Sequence, residues 1–293
     1  LKDTINVVIV TYNNRELLKS CIASVEKSLE NSGYSGQITI VDNASSDGTG
    51  KMIDESFPNV HHVVNKQNFG LSKALNIGIK EKLNSTYTLL LNDDVELFPE
   101  TISNMAGTFK EFPEAAGVPS CLIYPDGRPQ RVKLRILGKG KKSYKGTQEI
   151  YFAGTTACMY RTGVFRDIGF FDEFYFFYNE DLDFSLKAKR SGMKFIFKPE
   201  IKVIHHRKAG RSKANRSVKP YFYATDYYFY RKNFGILFSS VYLVMAYIHY
   251  LQKRKSFQKA KQSENFQLLQ EGMQRLKYTI KNYKDLRNNS GAI

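Results

Sequence analysis

From Ile5 to Leu97 the chain alternates between two patterns of apolar residues. Residues 5–10, Ile-Asn-Val-Val-Ile-Val, are apolar almost without interruption, Tyr87 to Leu91 is nearly as dense, and shorter β-branched runs with polar interruptions lie at Gln37 to Val41 and Val60 to Val64. All four predict strands, and the run at Tyr87 to Leu91, apolar on both faces, is the pattern of a central strand in a parallel sheet covered by helices. Between them Leu17, Leu18, Cys21, Ile22, Val25 and Leu29 recur at helical spacing until Gly33 ends the run. Lys51 to Phe57 predicts a shorter helix, and Leu71, Ala74, Leu75, Ile79 and Leu83 mark the inner face of another. The succession β-α-β-α-β-α-β is that of an α/β fold with a mostly parallel sheet.

Beyond Leu97 the alternation is looser. Pro99 to Phe112 predicts a helix, Gly117 to Tyr124 a strand, and Pro125-Asp126-Gly127-Arg128 a turn. Arg131 to Gln148 has several glycines and no usable period, which predicts a mobile basic loop. A strand is expected over Ile150 to Tyr160, then a densely aromatic stretch from Gly169 to Tyr178 and a helix from Asn179 through Lys189. Short strands at Lys194 to Phe197 and Lys202 to Ile204 deliver His205-His206 into a second basic loop, and from Lys219 onward the pattern is helical. This divides the chain into an α/β domain, residues 1–218, and a helical region, 219–293.

Charge sharpens that division. Of the net charge of +16, Arg207 to Ile293 carries +14 and the first 206 residues +2. A segment so basic is attracted to nucleic acid, anionic lipid or another polyanion, and its charge alone does not choose among them. Asn233 to Gln252 has no charged residue and is flanked by Arg231-Lys232 and Lys253-Arg254-Lys255. It is about long enough to cross a bilayer, but Ser239, Ser240, Tyr242, Tyr247, His249 and Tyr250 dilute it, which favours packing on the protein or lying on a membrane surface. Three widely spaced cysteines in apolar surroundings, Cys21, Cys121 and Cys158, argue against a disulfide framework or a zinc site. Asp3 and Asn6 interrupt the apolar run a signal peptide needs, so the expectation is a protein of a reducing compartment that is not exported.

The candidate chemistry lies at the strand ends. Tyr87 to Leu91 stops at Asn92-Asp93-Asp94, and in open α/β sheets ligands bind at the carboxyl ends of the strands. Two adjacent acids repel unless a positive charge lies near, and a divalent cation completed by water and substrate phosphates suits so sparse a pair; a solvated acidic loop is the plain alternative. Thr11 to Asn14 and Asp42 to Thr49 fall at the same sheet edge if the strands are parallel.

Five motifs in order then give the chain a resemblance: Val10-Thr11-Tyr12-Asn13; Val41-Asp42-Asn43-Ala44-Ser45-Ser46-Asp47-Gly48-Thr49; Asn68-Phe69-Gly70-Leu71-Ser72-Lys73-Ala74-Leu75-Asn76-Ile77-Gly78; Leu90-Leu91-Asn92-Asp93-Asp94; and Phe171-Asp172-Glu173 with Asn179-Glu180-Asp181-Leu182-Asp183. Together they resemble an inverting family 2 glycosyltransferase of the GT-A fold over roughly residues 5 to 212, nearest to the bacterial rhamnosyltransferase-like branch, which has Leu-Leu-Asn-x-Asp where others have Asp-x-Asp. The resemblance implies a nucleotide-sugar donor, dTDP-rhamnose or a UDP-hexose, a glycan or lipid-linked glycan acceptor, and Mg²⁺ or Mn²⁺ held by Asp94 and by His205 rather than His206. It implies a cytoplasmic enzyme of polysaccharide synthesis, with peripheral contact at the inner face of the membrane and no nucleic-acid partner.

The residue types agree with these roles. A departing diphosphate needs its charge neutralised, which is Lewis-acid work. Tyr12 can stack on a pyrimidine and Asp42 can accept its ring N–H, and the resemblance implies that Asp93 contacts the ribose. Thr11, Asn13, Asn68, Gly70 and Asn92 complete the donor set that the resemblance implies. The attacking hydroxyl needs a general base, and Asp181 is the candidate. Phe152, Gly154, Tyr175, Phe176 and Glu180 would shape the acceptor pocket, since sugars pack on aromatic rings. Each has a structural alternative: a packed aromatic for Tyr12 and the phenylalanines, a turn carboxylate for Asp42, a helix-start acid for Asp181, a loop histidine for His205. A metal-dependent nucleotidyltransferase is the nearest rival enzyme, though Thr11 to Asn14 is not a glycine-rich phosphate loop, and the basic tail leaves a nucleic-acid-binding protein as the rival from another class.

Overall fold

The computed structural model describes residues 3–130, 146–206, 221–259 and 263–289. Four parallel strands, β1 (Thr4–Thr11), β2 (Ser35–Asp42), β3 (His61–Val64) and β4 (Tyr87–Asn92), lie in the order β3-β2-β1-β4. Their crossovers are α1 (Arg15–Ser32), α2 (Thr49–Ser56) and α3 (Leu71–Lys80), as the periodicity predicts. Val7, Val8 and Ile9 of β1 and Leu89 and Leu90 of β4 are fully buried, because both faces of the sheet are covered. The register pairs Thr11 with Asp42 and Val10 with Asn92, so the three polar loops leave the sheet at one edge. Asn6, the polar interruption in β1, is also buried: its Nδ2 donates to the Gly78 carbonyl at 3.0 Å and its Oδ1 accepts from Thr39 Oγ1 at 2.9 Å.

The second half departs from the sequence expectation in two places. Gly117 to Tyr124 is not one strand but two, β6 (Ala115–Pro119) and β7 (Cys121–Ile123), in different sheets. Pro119 has no N–H with which to continue a ladder, Ser120 turns its N–H to the Ala157 carbonyl, and Cys121 donates instead to Ile201 O at 2.7 Å. Ile150 to Tyr160 likewise divides into β8 (Gln148–Ile150) and β9 (Ala157–Arg161), the intervening loop held by Ala153 N–H donating to Ser185 Oγ at 3.1 Å. Of the expected basic loop, residues 131–145 lie outside the described residues and Gln148 is already strand; the second basic loop, from 207, is outside them as well.

Among the described residues the large sheet has eight strands, ordered β3-β2-β1-β4-β9-β6-β10-β8, with β9 antiparallel to both neighbours and β10 (Lys194–Phe197) parallel to β6. A three-stranded sheet, β5-β11-β7, contains β5 (Val95–Leu97) and β11 (Lys202–His205). The helices α4 (Thr101–Glu111), α5 (Gly163–Asp167) and α6 (Glu180–Arg190) complete this part; the sequence pattern predicts neither β5 nor α5.

Compactness does not follow sequence order. One unit comprises residues 1–69, 74–170 and 184–210, and the other 70–73, 171–183 and 211–293. The second unit contains the C-terminal helices α7 (Phe222–Lys259), α8 (Ser263–Lys281) and α9 (Tyr283–Asn289). α7 is interrupted at Gly235, whose φ of 82° and ψ of −168° are not helical, and the chain folds back there. Tyr230 stacks on Tyr242 at 5.2 Å and Tyr223 Oη lies 2.7 Å from His249 Nδ1, so the two limbs of α7 run antiparallel. Ala246 of the second limb packs with Tyr223 and Tyr227 of the first and with Leu269 and Leu276 of α8.

The same unit buries a charged cluster. Lys232 Nζ donates to Asp172 Oδ2 and to Asp183 Oδ2, both at 2.7 Å, while Tyr228 donates to Asp172 and Asn233 to Asp183. Both carboxylates are 5% exposed. Burial alone would lower the Lys232 pKa, but the two carboxylates outweigh it and hold the ammonium above its ordinary value.

Two stability predictions follow from the packing. Gly78 sits where a Cβ would lie 2.4 Å from Val8 Cγ1, on a stiff β-branched side chain. Gly78→Ala gains up to about 1 kcal/mol of helix propensity and loses about 1–3 kcal/mol to overpacking, so denaturant titration is expected to show net destabilisation; a stabilised variant contradicts the packing account. Lys232→Met leaves two buried carboxylates without their cation and should cost about 3–5 kcal/mol by the same measurement. A loss below about 1 kcal/mol would mean that the neighbouring donors suffice for both acids.

Candidate active site

The first unit brings three loops together at the carboxyl edge of β1, β2 and β4. Thr11 Oγ1 donates to Asp93 Oδ2 at 2.7 Å, and the Asn14 side chain and Tyr12 N–H also approach this carboxylate. Burial pushes Asp93 up to about 7, and the adjacent Asp94 pushes the same way, against these donors. Asn13, at φ 53°, joins the first loop to the second: its N–H donates to Ser45 Oγ and its Oδ1 accepts from Ser46 N–H at 2.7 Å. Arg15 N–H reaches Asp47 Oδ2. Asp42 is buried and its Oδ1 accepts from Ser45 N–H at 2.8 Å, which is turn-forming work. Tyr12 is 37% exposed, leaving part of its ring on the surface of the loop. Asn92 ends β4 with its N–H on Thr156 O, and the N–H next to Asn68, that of Phe69, points at Asn43 Oδ1 at 3.4 Å.

Asp94 lies in the turn between β4 and β5, and β11 returns antiparallel to β5 beside it. His206 N–H donates to the Asp94 carbonyl at 2.9 Å, which anchors the turn, and the His205 ring faces the carboxylate, Nε2 to Oδ1 3.4 Å. The His206 ring bonds Glu96 at 2.8 Å instead. Gln130 fixes the tautomer of His205. Its Nε2 donates to the carbonyls of Ile123 and His205, so its Oε1 must accept from His205 Nδ1–H at 2.9 Å, and in the neutral ring the lone pair on Nε2 is directed toward Asp94. Among the described residues no three His, Cys, Asp or Glu side chains form a cage for an ion. A carboxylate and a neutral imidazole converging with positions left open fit a cation that shares its shell with phosphate and water. The chemistry of that donor set suits Mg²⁺ or Mn²⁺.

The second unit holds Asp181. It stands in the first turn of α6 with Glu180 and Asp183, and its Oδ1 accepts from Leu182 N–H at 2.7 Å. Burial raises its pKa from the ordinary carboxylate range to about 6, against the lowering effect of the N–H groups of Leu182 and of Asp181 itself. Asn179, just before the helix, is at φ 71° and gives its amide to Asp226 at 2.8 Å. Glu180 is buried. Tyr175 is fully buried, its hydroxyl 3.3 Å from Asp183 Oδ1 and its ring edge-on to Tyr228, so it belongs to the packing of this unit. Phe176 stacks on Tyr221 at 4.4 Å. Gly70, at φ 82°, lies against the Phe176 backbone: a Cβ would sit 2.5 Å from the Phe176 carbonyl oxygen, which accepts Leu71 N–H at 2.7 Å. That close approach requires glycine at this position whatever else the loop does. In the first unit Phe152 is buried and Gly154 partly exposed, both in the loop between β8 and β9.

Sequence reasoning missed Gln130 and Lys232. Gln130 follows a turn and carries no motif. Tyr228 and Lys232 are one helical turn apart, a spacing that places both on one face, but nothing local announces that their partners lie at Asp172 and Asp183. Cys21, Cys121 and Cys158 are buried free thiols.

Comparison with known proteins agrees with this architecture. The N-acetylglucosaminyl-diphospho-decaprenol L-rhamnosyltransferase of Mycobacterium tuberculosis is 24% identical over 240 residues, covering 71% of this chain and 77% of that protein. The low-salt glycan biosynthesis hexosyltransferase Agl10 of Haloferax volcanii is 23% identical over 236 residues, covering 75% and 72%. Among solved structures, mannosyltransferase PcManGT from Pyrobaculum calidifontis, in complex with GDP-Man and Mn²⁺, superposes with a TM-score of 0.59 at 12% identity over 94% of this chain and 87% of that one. Residues 1–349 of S. aureus TarS give 0.56 at 18% identity over 76% of this chain, which spans 65% of that length. These structural likenesses establish the GT-A fold. The model of the family described as glycosyl transferase family 2 matches residues 6–169, more than half the chain, and the protein is therefore a member of glycosyl transferase family 2.

Proposed function

We propose that the protein transfers one sugar, with inversion, from a nucleoside diphosphate sugar, dTDP-rhamnose or a UDP-hexose, to a hydroxyl of a glycan or lipid-linked glycan acceptor. The observation that carries this reading is the pairing of Asp94 with the tautomerically fixed His205 beside the Asp93–Thr11 contact. The name of the Mycobacterium relative, which acts on a diphospho-decaprenol lipid, supports the lipid-linked acceptor. The setting would be the cytoplasm, at the inner face of the membrane.

Asp94 and His205 would hold Mg²⁺ or Mn²⁺, which when bound supplies Lewis-acid neutralisation of the departing diphosphate. Asp93 and Asp42 would accept hydrogen bonds from the nucleoside, with Tyr12 stacking on its base and Thr11, Asn13, Asn68 and Asn92 lining the loops around it. In the transfer step the acceptor oxygen bonds to the anomeric carbon while the carbon–oxygen bond to the diphosphate breaks, and the diphosphate leaves with that electron pair. Asp181 takes the hydroxyl proton. A carboxylate raised to about 6 is a stronger base than an ordinary one and is still ionised near neutrality. The roles implied for the acceptor side fall to Phe152 and Gly154 in the first unit and to Tyr175, Phe176 and Glu180 in the second.

Asp94→Ala is expected to abolish Mn²⁺-dependent donor binding in calorimetry while leaving the melting temperature within a few degrees of the parent, and His205→Ala should weaken that binding more than His206→Ala. Donor affinity and Mn²⁺ dependence unchanged in Asp94→Ala would overturn the assignment of the ion. Asp181→Asn should lower transfer by about 10² to 10⁴ with donor binding retained. Because a base works only when ionised, kcat/KM of the parent should rise with pH through about 6 and level off above it, and the variant should lack that limb. A variant with wild-type transfer would leave Asp181 as a helix-start carboxylate only.

A further inference from the structure

The second limb of α7, beginning at Ile236, carries apolar side chains on the side turned away from its partners. Ser239 and Ala246 are buried and Tyr242, Leu243 and Tyr250 partly so, facing the first limb and α8. Opposite them Leu237 is 72% exposed, Val241 53%, Val244 61% and Ile248 50%, with Phe238 at 56% and Met245 at 54% flanking the row. At 100° per residue these six occupy well over a quarter of the helix circumference, wider than the two-position seam of a coiled coil. Soluble surfaces rarely leave so continuous an apolar face without an occupant. The limb then runs directly into Lys253-Arg254-Lys255, all exposed.

Spanning a bilayer does not fit this geometry. By length and composition Phe222–Ser256 could cross one, but the chain reverses at Gly235. The apolar run left, Ile236 to Leu251, is about 24 Å long at 1.5 Å per residue, against about 30 Å of hydrocarbon. Its packing partner α8 carries Glu271, Arg275 and Lys277 and could not accompany it into lipid. A helix with one face packed on protein, the other apolar and a basic cluster at its end instead matches a helix lying in the interface of an anionic membrane. A second copy of the chain is the other conceivable occupant, but it would bring the same positive charge to this face, whereas anionic lipid complements it.

We propose that Leu237, Val241, Val244 and Ile248 insert into the surface of an anionic bilayer, with Lys253, Arg254 and Lys255 engaging its headgroups. This deepens the membrane setting of the proposed function and does not depend on which sugar is transferred. The full chain should co-sediment with vesicles of phosphatidylglycerol and phosphatidylcholine at 1:3 and much less with phosphatidylcholine alone, with binding falling as salt rises. Leu237→Gln combined with Ile248→Gln, and separately Lys253→Gln with Arg254→Gln and Lys255→Gln, should each weaken partitioning about a hundredfold. Both sets lie on exposed positions and should keep the parent's melting temperature and its calorimetric donor affinity, so a failure of vesicle binding is distinguishable from a failure of the catalytic reading. Parent protein that stays in the supernatant, or that binds equally well in both variants, overturns the proposal. A parent that is dimeric by light scattering, made monomeric by the Leu237 and Ile248 pair and indifferent to vesicles, assigns the face to a second copy and overturns it too.

Discussion

One ammonium between two buried carboxylates sets the terms for the second unit. Asp172 lies in the aromatic stretch that leads into α6 and Asp183 in the first turn of that helix, and both close on Lys232 of α7. Charges removed from water are tolerated only when paired and hydrogen-bonded, so the loop from 171 to 183 and the start of α7 must be in place together. Asp181 lies in sequence between those two fixed points. The Tyr175 hydroxyl and the Asn233 amide satisfy further lone pairs of Asp183, which makes the cluster a network in which each member restricts the others.

The first unit solves a different electrostatic problem. Asp93 and Asp94 are adjacent and partly buried, yet the structure separates their duties by giving them different partners. Asp93 turns to the hydroxyl of Thr11, and Asp94 faces a histidine whose ring is oriented from behind by Gln130. That sequence of contacts, amide to imidazole to carboxylate, runs from Gln130, beyond the turn that follows β7, across β11 to the turn after β4. The small sheet exists to bring those elements side by side, and the division of the strand after Gly117 is what supplies its third member.

Much of this was legible in the residues. The four parallel strands and their crossover helices follow from the dense apolar runs and the helical spacing of Leu17 to Leu29 and Leu71 to Ile79, since each signal is local and periodic. The positions of Thr11, Asp42 and Asp94 at one edge followed from strand direction alone. What escaped is decided by distant partners. Nothing near Pro119 says that the next residue will bond Ile201, and nothing near Lys232 says that it will meet acids more than forty residues upstream. Gly70 shows the same limit from the other side: its motif is local, but the Phe176 backbone that fills the space a side chain would need is far along the chain. The uncharged stretch from Asn233 looked long enough to be continuous, and a single residue with positive φ, Gly235, breaks it into two limbs.

The placement of Lys232 also bears on how such a protein could be rearranged in evolution. An α/β half followed by a basic helical tail suggests modules that can be exchanged, with new tails grafted to the same α/β half. Here the cation that neutralises Asp172 and Asp183 is encoded in the tail, thirteen residues beyond the boundary at 219 that the sequence suggests. A tail recruited from elsewhere would have to bring a lysine at the same height on its first helix, or arrive together with a new aromatic segment. Inheritance of the C-terminal helices and of the Asp172–Asp183 stretch is therefore coupled, and lineages that trade one are constrained to trade both.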